Sequence, residues 1–99
     1  MPASSDPPDV LDEVVRLVVL PKHLHARPAG QVAQAATRRS PTTVELVAGD
    51  RRVNARSVLA VMALGAVSGS EVWVMVAGAD AAAVAAEVVE ILESPEVDS

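Results

Sequence analysis

The chain has 99 residues, of which 51% are hydrophobic and mostly Ala or Val, which supports one small globular core and excludes an intrinsically disordered chain. It contains no cysteine, which excludes a disulfide framework, a thiol nucleophile and a Cys-based zinc site. The formal charge of −5 is unevenly placed: residues 1–13 carry four acids and residues 93–99 carry three, with no base in either, whereas residues 14–92 carry eight bases against six acids.

Two flexible acidic tails, residues 1–13 and 94–99, are therefore expected around a mildly basic domain spanning residues 14–93. That body suits an acidic protein or a phosphate. Nucleic acid is a poor partner for it, because the basic excess is small and Trp73 is the only aromatic residue, leaving no stacking platform. The longest apolar run, residues 58–67, is ten residues long and includes Gly65, far short of a membrane span. The first residues lack a basic segment followed by an apolar one, so no secretory signal is expected. A cytoplasmic monomer is the expectation.

In chain order, Pro2, Pro7 and Pro8 mark the leading tail. Residues 14–20 are a β-branched run broken by Arg16 and closed by Pro21, which predicts a strand whose interior is largely covered. Residues 26–38 predict a helix burying Ala29, Val32, Ala33 and Ala36, with Gln31, Gln34 and Arg38 outward. Ser40-Pro41 ends it, since a residue before proline avoids helical geometry. Residues 43–47 alternate, with Val44 and Leu46 on one side. After a turn at Ala48-Gly49-Asp50 the chain returns over residues 51–55 with Val53 and Ala55 inward, completing a β-hairpin.

Ser57 caps a short helix ending at Gly65. Ser68-Gly69 is a turn. Residues 72–76 are the strongest strand, with Val72, Val74 and Val76 on one face and Trp73 and Met75 on the other. Asp80 caps a last helix, residues 81–92, with Val84, Val88, Ile91 and Leu92 inward and Glu87 and Glu90 toward water. The order is β-α-β-β-α-β-α, an α+β chain whose amphipathic helices cover one face of an antiparallel sheet in a two-layer sandwich.

The most chemically loaded stretch is Lys22-His23-Leu24-His25-Ala26-Arg27-Pro28. Proline is tolerated in a first helical turn, so Pro28 places a helix start just behind His25, with Ala26 and Arg27 in that turn. Free amides and the partial positive charge of a helix start suit an anion, and the Arg27 guanidinium matches phosphate oxygens. A neutral imidazole is a nucleophile. A phosphoryl group on His25 would gain about 0.3–1 kcal/mol from each such interaction, enough to favour the adduct without trapping it.

The run His25-Ala26-Arg27-Pro28-Ala29 resembles the phosphorylation-site motif of HPr, the histidine-containing phosphocarrier of the bacterial sugar phosphotransferase system. Residues 56–65 resemble that family's regulatory-serine helix, and Gly78-Ala79-Asp80 resembles the entry to its last helix. The resemblance extends from about residue 14 to residue 92. It implies an open-faced sandwich in which a four-stranded antiparallel sheet of order 1-4-2-3 is covered on one face by three helices.

It also implies a carrier rather than an enzyme, with no cofactor. His25 would accept a phosphoryl group on Nδ1 from phosphorylated enzyme I, with phosphoenolpyruvate as the source. The group would pass to a histidine of a sugar-specific IIA domain. A paralogue in a carbon- or nitrogen-control relay would use the same chemistry, whereas a small α/β interaction or ligand-binding domain would leave His25 incidental.

Further roles follow from the resemblance. Ala26 and Arg27 support the phosphate. Gly30, Gln31, Gln34, Arg56, Val58, Leu59 and Met62 form the docking surface, with Val61 and Leu64 turned to the core. Ser57 is a site for an HPr kinase/phosphorylase, with transcriptional regulators as further partners; as an N-cap it also has a purely structural role. His23 departs from the family, which usually carries a small residue there. A His23–His25 metal pair would lack further ligands, a neutral surface role is simpler, and an effect on access to His25 is the third alternative. Arg38-Arg39-Ser40-Pro41 stands where the family often has an aromatic residue.

Overall fold

The structure is a computed structural model that describes residues 13–94; the acidic tails expected at either end lie, apart from Glu13 and Ser94, outside the described residues. Its elements are β1 (Glu13–Val19), α1 (Ala26–Arg38), β2 (Thr43–Ala48), β3 (Arg51–Asn54), α2 (Val58–Ala63), β4 (Glu71–Ala77) and α3 (Ala81–Glu93). The four strands form one sheet of order β1-β4-β2-β3, antiparallel at every pairing, the order implied by the resemblance.

Alternation in the strands sets the layering. Val18 in β1, Val44 and Leu46 in β2, and Val72, Val74 and Val76 in β4 are buried against the helices. They meet Ala29, Val32 and Ala36 of α1, Val61 of α2, and Val84, Ala85 and Val88 of α3 in one cluster. The small side chains let helices and sheet approach closely, so a core without buried aromatics still closes.

Three expectations need correction. β1 is not covered on both sides: Val15, Leu17 and Val19 lie on the open face, 43–56% exposed. β1 is an edge strand of a sheet with helices on one face only, so alternate residues meet water. Glu87 does not simply face solvent. Its carboxylate accepts from Arg38 at 2.7 Å and lies 3.2 Å from Arg39 Nη2, joining α3 to the end of α1. Asp80 occupies the N-cap position of α3 but its side chain makes no cap bond. It stands there in the left-handed region, at φ +59°, which Asp tolerates better than most residues.

Candidate functional site

The site is built where the chain leaves β1. Pairing of β1 with β4 sets Val19 opposite Glu71, which brings the segment entering β4 alongside the segment leaving β1. The Leu20 N–H donates to Ser70 O at 2.9 Å and the Gly69 N–H to Leu20 O at 2.8 Å, extending the ladder past the strand ends. Further on, the Leu24 N–H donates to Ala66 O at 3.1 Å and the Ser68 hydroxyl to Pro21 O at 3.2 Å. Leu20 and Leu24 are buried, so the loop is pinned by backbone and core together, and His23 and His25 are left exposed.

His25 is the N-cap residue of α1, with extended backbone at φ −103° and ψ −166°. Its carbonyl accepts from the Ala29 N–H at 3.0 Å, closing the first helical bond, while its side chain makes no cap bond. The Ala26 and Arg27 amides precede the first possible intrahelical acceptor, and Pro28 has no N–H. Two unspent donors thus adjoin the imidazole. Arg27 is exposed and forms no ion pair among the described residues. A nucleophilic ring, two amides and a guanidinium at one helix start make a place where an anion can be attached and held.

Beside His25 lies a recess of about 270 Å³, lined also by Pro21, Lys22, His23 and Ser68. His23 Nδ1 accepts the Ser68 N–H at 3.1 Å, so that nitrogen is not open to a metal ion. Among the described residues no group of three or more potential metal-binding side chains occurs.

The residues expected to dock partners do not all line one recess. Gly30, Gln34, Arg56 and Val58 line one groove between α1 and α2, about 650 Å³ in volume. Gln31 instead lines a tight crevice of about 20 Å³ with His25 and Pro28. On α2, Leu59 is 79% exposed and Met62 39%, while Val61 and Leu64 are buried as expected.

Ser57 caps α2, its hydroxyl oxygen accepting from the Ala60 N–H at 3.1 Å. Ser57→Ala is expected to cost about 1 kcal/mol of stability, lowering Tm by roughly 4–8 °C in thermal unfolding followed by circular dichroism. At the other end of this helix the Arg51 guanidinium donates to Ala63 O at 2.9 Å, where a cation is favoured.

Sequence reasoning missed Arg51 in this role, and it missed Ser68. The Ser68-Gly69 turn was readable from composition, but its contact with a loop 45 positions away was not.

The family model described as the PTS HPr component phosphorylation site matches residues 14–94. Over 57 residues the chain is 46% identical to the phosphocarrier protein HPr of Treponema pallidum, a match spanning 58% of this chain and 64% of that relative's length. The fold is similar to the crystal structure of an HPr from Bacillus anthracis, with TM-score 0.75 and 25% identity over 82% of this chain and 98% of that one. HPr-C-His from Thermoanaerobacter tengcongensis superposes with TM-score 0.69 at 28% identity, over 82% of this chain and 90% of the other.

Proposed function

The chain belongs to the HPr family, and on that premise we propose that it carries phosphoryl groups on His25, from phosphorylated enzyme I to IIA domains of sugar uptake systems. The observation that supports this reading most directly is the exposed His25 ring, free of any cap bond, at the start of α1 beside two unspent amides and Arg27.

The step is an in-line exchange. The lone pair of the His25 ring nitrogen, Nδ1 by family resemblance, forms a bond to phosphorus while the N–P bond of the donor histidine breaks. The electron pair of that bond stays on the donor ring. The accepting ring keeps the proton on its other nitrogen, so no general base is needed. The transferred oxygens carry negative charge onto the Ala26 and Arg27 amides and the Arg27 guanidinium, which lowers the barrier by electrostatic stabilisation. Each contact is individually weak, so the group leaves again when a second imidazole approaches in line.

The exposed side chains of Leu59 and Met62, with the neighbouring α1–α2 groove, offer these larger proteins an apolar and adaptable docking surface. Ser57 is a candidate regulatory site for an ATP-dependent kinase: a phosphate there would add about −1.5 to −2 charges beside Arg56 and change how that surface meets a partner. The domain bounds are proposed as residues 14–93.

The reading is tested by incubating the whole chain with phosphoenolpyruvate and enzyme I. One acid-labile phosphate per chain is expected, and it should be discharged when a IIA domain is added. A chain that stays unlabelled would overturn the proposal.

A further inference from the structure

An incoming phosphoryl donor meets two imidazoles, since His23 and His25 are both exposed and border the same recess with Leu24 buried between them. We propose that the hydrogen bond from the Ser68 amide to His23 decides between them, making His23 a positioning residue and confining phosphoryl acceptance to His25. This inference rests on the phosphocarrier reading.

A neutral imidazole has one protonated nitrogen and one with a lone pair. An amide N–H can only donate, so His23 Nδ1, which receives it at 3.1 Å, is the unprotonated nitrogen and the ring proton sits on Nε2. The one nucleophilic lone pair of His23 is thereby occupied. The His25 ring forms no cap bond, so its lone pair remains available.

The same contact fixes geometry. The His23 carbonyl accepts the His25 N–H at 3.1 Å, while its ring is held by Ser68. His23 is therefore bonded at its side chain to the loop before β4 and at its backbone to the acceptor residue. Reaction rates are steep in placement, since small displacements of an attacking atom weaken catalysis sharply.

The turn allows the bond to be removed cleanly. The Ser70 N–H donates to Val67 O at 2.9 Å and Gly69 has φ +88°, so Ser68 is the second residue of a turn with type II geometry. Proline is favoured at that place. Ser68→Pro deletes the donor while suiting the turn. Ser68→Ala keeps the amide and loses only the hydroxyl bond to Pro21. His23→Asn keeps an acceptor near the position of Nδ1, and His23→Ala does not.

Two measurements on the full chain test the proposal. Long-range ¹⁵N–¹H spectra of the histidine rings should show His23 as the Nε2–H tautomer with a hydrogen-bonded Nδ1 in the parent and in Ser68→Ala, and an Nδ1 resonance shifted to that of a ring without the bond in Ser68→Pro. Phosphorylation of His25 by enzyme I should fall about five- to tenfold in kcat for Ser68→Pro and His23→Ala, the order expected for one neutral hydrogen bond, with KM little changed, and Ser68→Pro should also take phosphate on His23. Ser68→Ala and His23→Asn should stay within about twofold of the parent. A His23 ring protonated on Nδ1, or a Ser68→Pro chain that labels His25 alone or labels it as fast as the parent, would overturn this inference and leave the carrier reading standing. Absence of phosphate on every variant and the parent would overturn both.

Discussion

His25→Ala is expected to abolish acid-labile labelling from phosphoenolpyruvate and enzyme I completely, while His23→Ala still takes one phosphate per chain. The loss should be total because, among the described residues, no other group is placed to substitute. The chain has no thiol, the His23 lone pair is held by Ser68, and the Ser57 oxygen is engaged with the Ala60 amide on a different helix. The variant should remain folded: the His25 side chain is exposed and makes no cap bond, so its removal belongs with surface substitutions, within about 0.5 kcal/mol. Unchanged thermal unfolding beside lost labelling would separate chemistry from stability. Labelling of His25→Ala at the parental level would mean that another group accepts the phosphate.

The position of His25 was legible because its determinants are local. Pro28 marks a first turn, the alanines behind it set the buried stripe, and Pro21 closes the strand before it, all within one short stretch of chain. The sheet was legible for a similar reason: Val44 with Leu46, and Val72 with Val74 and Val76, spell one buried face by alternation alone. Strand order was a different matter, since nothing in either run says which neighbour it takes. That order came with the resemblance.

What the sequence hid is mostly long-range and polar. Glu87 reads as a surface residue of an amphipathic helix, yet α3 crosses the end of α1 and brings it between Arg38 and Arg39. Both guanidiniums remain exposed, so this contact adds about 0–1 kcal/mol, and its main effect is to engage two of the basic residues of the body with an acid of the same chain. Asp80 misled in another way. Its identity fits an N-cap, but the backbone at that point needs a left-handed residue, and Asp serves for its tolerance of that conformation rather than for its oxygen. The β1–α1 loop is pinned by bonds from a loop more than 40 positions further on, which no local pattern announces.

Gly78→Ala should be strongly destabilising, by about 3 kcal/mol, lowering Tm by roughly 12–24 °C. Gly78 directly follows β4 and has φ +137°, a conformation that residues with a Cβ rarely adopt. A Cβ there would lie 2.7 Å from Thr42 Oγ1 and 2.8 Å from Thr42 Cα, and a backbone atom cannot rotate aside. Thr42 has little freedom either: it is 4% exposed and its hydroxyl donates to Ala79 O at 2.8 Å. Pairing of Thr43 with Ala77 sets these two segments side by side, so the clash pushes apart the end of β4 and the start of β2. Because Gly78-Ala79-Asp80 leads into α3, the displacement should pass along that helix to Ile91 and Leu92, which border the crevice beside His25. Gly30→Ala supplies the contrast. Its added Cβ meets nothing within 4 Å in the middle of α1, so helix propensity should raise stability by about 0.5–1 kcal/mol. Urea unfolding of the two variants measures both signs, and a Gly78→Ala chain as stable as the parent would mean that β4 and β2 do not meet as closely as this register requires.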